Sequence, residues 1–333
     1  MIDQALLALA TPRQVQVLEA IEQHGSGVKA AVALGINRAT VNKTIRGLKA
    51  RANRQAGRPQ CAKRIMVIPD VQAKPGLDFS YLRRYGMYAL EKRPDKIVIG
   101  GDWADMPSLS SYDKGKRSFE GRRYKRDVEA AQFAMQAFLG PIEEYNKTAK
   151  RPYLPAKELL LGNHENRINR ATDDDAMLEG MLSIKDLAYE EYGWTVTPFL
   201  VVKVIDGVAM SHYFTSGVKG LPIASAQALL TKKHMSCIAF HQQGLQIATA
   251  YRADGALLTS VIAGSAYEHD EGFMGPQGNK HWRGFLMLND VQNGAFDLMP
   301  VSLSYINKKY PLVKVDPPIY SLPTEAEMQA GRM

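Results

Sequence analysis

Two cysteines in 333 residues, Cys61 and Cys237, are too few for a disulfide framework, and they read as reduced thiols of a cytoplasmic protein. No run reaches the roughly 20 consecutive apolar residues that a membrane span needs. The opening MIDQALLALA lacks the basic start of a secretory signal. Neither membrane insertion nor export is therefore expected. The most informative shortage is of acids near the N-terminus. Residues 1–64 hold three, Asp3, Glu19 and Glu22, against eleven lysines and arginines. The other 269 residues hold 31 charges of each sign, so the net charge of +8 lies wholly in the first fifth of the chain. That imbalance implies a polyanion-binding module joined to an electrically neutral one, and the length suits one large and one small domain. No internal repeat is visible.

In the basic fifth, Thr11-Pro12 is a helix start, and Val15, Leu18 and Ile21 form one apolar face up to His24-Gly25. A short second helix, GVKAAVAL, is expected to stop at Gly35. Asn37 then caps a third helix with Val41, Ile45 and Leu48 at i, i+4 and i+7, and a polar, basic opposite face. The stretch AAVALGINRATVNKTIRGL resembles a helix-turn-helix DNA-binding domain. In that family the second helix of the pair enters the major groove. The resemblance implies Arg38, Thr40, Asn42 and Lys43 at base edges and Arg46 and Lys49 on phosphates. A three-helix bundle for protein contacts, its basic face merely solvated, is the alternative. Residues 54–63 follow as a basic, Gly/Pro-containing linker.

From Arg64 the pattern becomes alternating strands and helices. RIMVIPD, KIVIGGD, ELLLGNHE, VAMSH and CIAFHQQ are short buried apolar runs, each finishing on an oxygen or nitrogen donor. A helix over DFSYLRRYGMYALEKRP, with Tyr81, Tyr85 and Leu90 inward, lies between the first two. That βαβ unit places ligands at strand C-termini. Helices are expected over 127–147 and 173–192, then short strands through TVTPFLVVKVI, LQIATA, ALLTSVIAG, GFLMLNDV and VSLSYI. The fold class is α/β (an α+β sandwich): two packed mixed β-sheets flanked by helices.

In order, the donors are D-x-Q at 70–72, G-D at 101–102, G-N-H-E at 162–165, His212 and H-x-Q at 241–243. This series resembles the calcineurin-like metallophosphoesterases, whose pattern is D-x-H, G-D, G-N-H-[DE], a lone His and G-H-x-H, over residues 64–310. The resemblance implies two divalent cations sharing Asp102. Asp70, Gln72 and Gln243 would complete one site, and Asn163, His212 and His241 the other. It places His164 on the leaving oxygen, with Glu165 as the acceptor that orients it, and a metal-bridging hydroxide as nucleophile. A helix-turn-helix ahead of such a domain is similar to an arrangement found in bacteriophage genomes, which would put the protein in the host cytoplasm.

Two features depart from that pattern: Gln72 and Gln243 stand where the family has His, and Phe240 where it has Gly. Both glutamines fall on one metal. Their neutral hard oxygens favour Mn²⁺ or Mg²⁺ over Zn²⁺, although a weakened or inactive site is the other reading. His234, His269 and His281 match no metal position, and His269-Asp270-Glu271 is expected to line the pocket. Residues 114–126 carry seven cations and one acid beside the Asp102 loop. Lys114, Lys116, Arg117, Arg122, Arg123, Lys125 and Arg126 therefore become a phosphate grip, or else a solvated helix start.

The expected layout is a helix-turn-helix domain over 1–53, the linker, a phosphoesterase domain over 64–312 and an extended tail over 313–333. The expected activity is metal-dependent hydrolysis of nucleic-acid phosphodiesters, DNA first. The rivals are a phosphomonoesterase and a DNA-binding regulator with an inert phosphoesterase domain.

Overall fold

The computed structural model describes residues 10–56, 63–272 and 274–311. The chain divides into two units, Met1–Ala62 and Lys63–Met333. In the first, Pro12 opens α1 (Pro12–His24), where its missing N–H costs nothing, and Gly25 ends it in the left-handed region at φ 70°. The Ser26 side chain accepts the Lys29 N–H at the start of α2 (Gly27–Ala33). Asn37 Oδ1 accepts the Ala39 N–H at 2.8 Å at the head of α3 (Arg38–Ala56). Val17, Ala31 and Val41, with Ile21, Ile36 and Ile45, form the core between the three helices. The buried face of α1 therefore centres on Val17 and Leu18, and Val15 is only half-buried. Because α3 continues to Ala56, the segment expected to be a linker from residue 54 begins inside a helix. Its residues 57–62, Cys61 included, and the expected tail lie outside the described residues.

The second unit runs β1 (Lys63–Ile68), α4 (Ser80–Lys92), β2 (Lys96–Ile99), α5 (Tyr124–Thr148), β3 (Ala156–Leu160) and α6 (Asn166–Asp174). After these come β4 (Thr195–Thr197), β5 (Lys203–Ile205), β6 (Val208–Ser211), β7 (Thr215–Ser216), β8 (Leu221–Pro222), α7 (Ala226–Lys233) and β9 (Cys237–Ala239). It closes with β10 (Leu245–Tyr251), β11 (Leu257–Ala263), α8 (Gly275–Gly278), β12 (Gly284–Gln292), β13 (Ala295–Ser302) and α9 (Leu303–Lys309). A six-stranded sheet has the order β13-β12-β1-β2-β3-β4 and a five-stranded one the order β10-β11-β9-β6-β5. Each mixes parallel and antiparallel pairs. This is the mixed α/β sandwich expected from the sequence.

Continuous apolar runs are what strands covered on both faces require. Ile65 and Val67 of β1, with Val98, Leu160, Leu286 and Leu288, pack against Met210, Ile238, Phe240 and Val261 of the second sheet. Met66, Ile68, Ile97 and Ile99 point the other way, onto Tyr81, Tyr85 and Phe138 of α4 and α5. Such side chains each contribute about 1.5–3 kcal/mol on burial. Trp103 belongs to this core and donates from Nε1 to the Ala131 carbonyl at 3.0 Å. Cys237 is a buried free thiol under α7. Among the described residues no helix is long and apolar enough to cross a membrane.

Three expectations need correction. No helix covers 173–192: α6 ends at Asp174, and 3₁₀ turns at Ala176–Leu178 and Ile184–Leu187 follow. Asp173, Asp174 and Asp175 crowd the negative end of the α6 dipole, and Asp175 instead caps the next turn by accepting the Met177 N–H. The helix expected from residue 127 begins at Tyr124, so Lys125 and Arg126 lie in its first turn. VSLSYI is a strand only to Ser302, whose side chain caps α9 by accepting the Tyr305 N–H.

Candidate metal centre

β1, β2 and β3 run parallel in one sheet, and β6 and β9 run parallel in the other, so five carboxyl ends present their donors together. The loop after β1 is stitched to the loop after β2. The Val71 and Gln72 N–H groups both donate to the Asp102 carbonyl, at 3.0 and 2.7 Å, and Ala73 N–H donates to the Trp103 carbonyl at 2.8 Å. Gln72, Asp102 and His241 all adopt the left-handed region, with φ of 49°, 49° and 68°. Non-glycine residues persist there only where their surroundings hold them, and such residues gather at working sites. Space is equally tight. A Cβ on Gly162 would lie 2.0 Å from Asp102 Oδ1, which is why only glycine fits beneath that carboxylate.

Asp102 is buried and sits between two imidazoles. His212 Nε2 is 3.3 Å and His164 Nε2 3.7 Å from its Oδ2, and Oδ1 accepts the His164 backbone N–H at 2.9 Å. His212 Nδ1 lies 3.0 Å from the Gly100 carbonyl and donates a proton to it, while Nε2 faces Asp102 and, at 2.9 Å, Asn163 Oδ1, so in the metal-free protein it too holds a proton between acceptors. Ligand atoms of Asp102, His212 and His241 all lie within 4.8 Å of one another, a grouping that could hold a metal ion. Asp70 joins through its Oδ1, which accepts the His241 N–H at 3.2 Å, while Gln243 Nε2 is 3.5 Å from its Oδ2.

Two observations fit this donor set to cations. Gln72 Oε1 and Gln243 Oε1 are buried acceptors with no hydrogen-bond partner, which a ligated metal would satisfy. The electrostatics agree. Burial, then the Asp102 charge, pushes the Asp70 carboxyl up to about 7. Burial disfavours a charged His212, yet Asp102 raises it to about 9. His241 is lowered to about 4 by burial and by the nearby His212. The cluster holds protons where cations would relieve the same crowding of carboxylates.

Glu165 does not orient His164. Its Oε2 accepts the N–H groups of Asp102 and Gly162, both at 2.9 Å, and its Oε1 accepts Ala104 N–H at 2.9 Å and the Tyr189 hydroxyl at 3.2 Å. It clamps the two glycine-rich loops together. The acceptor on the imidazole is Asp105, unassigned from the sequence: His164 Nδ1 is 2.7 Å from its Oδ1 and 3.0 Å from its carbonyl. Burial opposes protonation of His164, and the Asp102 and Asp105 charges raise it above the ordinary imidazole value. Arg167, the second residue of α6, donates to the Asp105 and Met106 carbonyls and approaches His164 Nε2 to 3.2 Å. The second Asp of GDWAD and the i+3 spacing of Arg167 from His164 were the available signals.

The basic segment divides. Arg122 is a strut that donates to the Asp113 carboxylate and the Pro107 and Ser118 carbonyls, and Lys116 also pairs with Asp113. Neither is a free phosphate ligand. Lys114, Arg117, Arg123 and Lys125 are exposed and Arg126 half-buried. On α3, Arg38, Thr40, Asn42, Lys43 and Arg46 are exposed, while the Lys49 side chain lies outside the described residues. Of the unmatched histidines, His234 ends α7, His281 Nε2 is 2.7 Å from Ser265 Oγ, and His269 pairs with Glu271 at 2.6 Å.

No family model and no curated protein sequence matches the chain. Among solved structures, YfcE, a phosphoesterase from E. coli, is similar over 76% of this chain and 99% of that one, at 14% identity and a TM-score of 0.33. That likeness is distant, and the chemistry has to be read from the side chains themselves.

Proposed function

We propose that the Lys63–Met333 unit hydrolyses phosphodiesters with the aid of two divalent cations, acting on nucleic acid, DNA first, while the N-terminal helices hold the duplex. The observation that carries the catalytic part is the pair of unpartnered Gln Oε1 atoms in a cluster with Asp102, His212 and His241. Asp70, Gln72, Asp102 and Gln243 would hold one cation, and Asp102, Asn163, His212 and His241 the other. The mainly oxygen donors of the first favour Mn²⁺ or Mg²⁺. When bound, such a pair supplies Lewis-acid stabilisation of phosphoryl oxygens and acidifies water.

The chain's own residues supply the remainder. Glu165 keeps the Asp102 and Gly162 loops in place. Asp105 takes the Nδ1 proton of His164 in a hydrogen bond, and Nε2 then faces the site to deliver a proton to the departing sugar oxygen. The nucleic-acid part is supported by the confinement of the positive excess to residues 1–64 and by the exposed basic face of α3.

The test is a metal panel with bis-p-nitrophenyl phosphate, p-nitrophenyl phosphate and labelled DNA. Asp102→Asn should abolish Mn²⁺-dependent turnover of every ester. His164→Ala should abolish cleavage of DNA, whose sugar oxygen leaves poorly, while sparing the p-nitrophenyl esters in part. DNA retention should persist in both. Undiminished cleavage by both variants would exclude this assignment. Turnover of the monoester alone would make the protein a phosphatase, and silence in every metal a DNA-binding regulator.

A further inference from the structure

A chain of charged groups leads away from His164 into a loop that contributes no metal donor. Asp105 uses Oδ1 on His164 Nδ1, and its Oδ2 lies 3.3 Å from Lys74 Nζ. Lys74 Nζ is 2.6 Å from Glu271 Oε1, and the same oxygen is 2.6 Å from His269 Nε2. Asp105 and Glu271 are buried, and the Lys74 side chain is 23% exposed. Glu271 is itself immobilised. Its N–H donates to Asn279 Oδ1 at 2.8 Å, and Asn279 Nδ2 donates back to its carbonyl at 2.9 Å. Arg283 ties the same loop together through the Glu268 carbonyl and Asp270.

From this geometry we infer that Lys74 and Glu271 are positioning residues for the Asp105–His164 pair. The inference rests on the proposed role of His164. The physical reason is rotational. The terminal torsion of an Asp is broad, so a carboxylate with one anchored oxygen still swings. A Lys on the second oxygen stops that swing only if its own long side chain is fixed, which Glu271 does. The loop between β11 and β12 thereby sets the direction in which His164 presents Nε2. A phosphate grip would use Lys74 differently, with its ammonium turned to substrate rather than occupied by two carboxylates.

The test uses the full chain with Mn²⁺ and two aryl methyl phosphodiesters, one releasing p-nitrophenol and the other phenol. Phenol leaves poorly and needs the proton from His164. Lys74→Met and Glu271→Gln should lower kcat for the phenol ester about tenfold more than for the p-nitrophenyl ester, with KM within about twofold, and Lys74→Arg should restore most of the loss. In the metal-free protein the downfield proton resonance of His164 Nδ1–H should broaden or move in Lys74→Met and stay in Lys74→Arg. Equal slowing of both esters, a rise in KM alone, or an unmoved resonance would overturn the inference. His164→Ala is run in parallel. If it shows no leaving-group dependence, the role of His164 fails, while the resonance still reports on positioning.

Discussion

Asp105 Oδ1 lies 2.7 Å from His164 Nδ1, whereas Glu165, the neighbour of His164 in the chain, turns away to bind the backbone of Asp102. The two carboxylates thus have separate duties, one toward the imidazole and one toward the loops that carry the candidate metal donors.

Glu165 should therefore matter to folding before it matters to chemistry. Glu165→Ala leaves three buried N–H groups without acceptors, so urea unfolding of the metal-free protein should show a loss of about 3–5 kcal/mol. Metal binding, followed by calorimetry, should weaken with it because Asp102 loses its anchor. A variant of wild-type stability would contradict the clamp.

Metal uptake should depend on pH in a defined direction. His212, raised from 6.5 to about 9, and Asp70, raised from 3.8 to about 7, must both release protons to become ligands. His241, lowered to about 4, is already neutral. Calorimetry in buffers of different ionisation enthalpy should find about one proton released per protein near pH 8 and about two near pH 6. Groups whose folded values are raised stabilise the fold while protonated, and that contribution is lost as pH rises through the folded value. The metal-free protein should accordingly melt lower near pH 10 than near pH 6, and divalent cations should reverse that trend.

The glutamines should set metal preference. Gln72→His combined with Gln243→His replaces two hard oxygens by imidazoles and should shift the Zn²⁺ to Mn²⁺ affinity ratio by about tenfold or more toward Zn²⁺. Gln72→Ala with Gln243→Ala should cost one of two bound equivalents by metal analysis, leaving the equivalent held by Asp102, Asn163, His212 and His241.

The α3 face should act on DNA through charge. Replacing Arg38, Lys43 and Arg46 by Gln removes three cations that the duplex would otherwise meet. The slope of log affinity against log salt should then fall by about 0.9 for each phosphate no longer neutralised. Turnover of bis-p-nitrophenyl phosphate, which has no duplex to hold, should be unchanged.

Much of the sandwich was legible because a buried strand writes itself locally, as a short apolar run closed by Gly, Asp or His. KIVIGGD and ELLLGNHE each carry strand, turn and donor within seven or eight residues. The stretch 173–192 misled because its apolar residues recur at helical spacing, while the local capping by Asp175 and Ser183 breaks it into short turns. Arg122 misled in another way, since charge counts cannot tell a free cation from one already spent on Asp113 and backbone carbonyls.

Order and chemical type of the donors are properties of the linear chain, and from them came the strand ends and, through the family resemblance they carry, the proposal of a shared aspartate and one oxygen-rich site. Which carboxylate serves which partner is a property of packing. Lys74 and Glu271 are 197 positions apart, and no local pattern marks them as a pair. They meet because β1 and the loop after β11 finish side by side, where the Asp70 carbonyl accepts the Ala266 N–H at 2.8 Å. Side-chain reach is a few ångströms, so such pairings exist once the sheets have closed and not before.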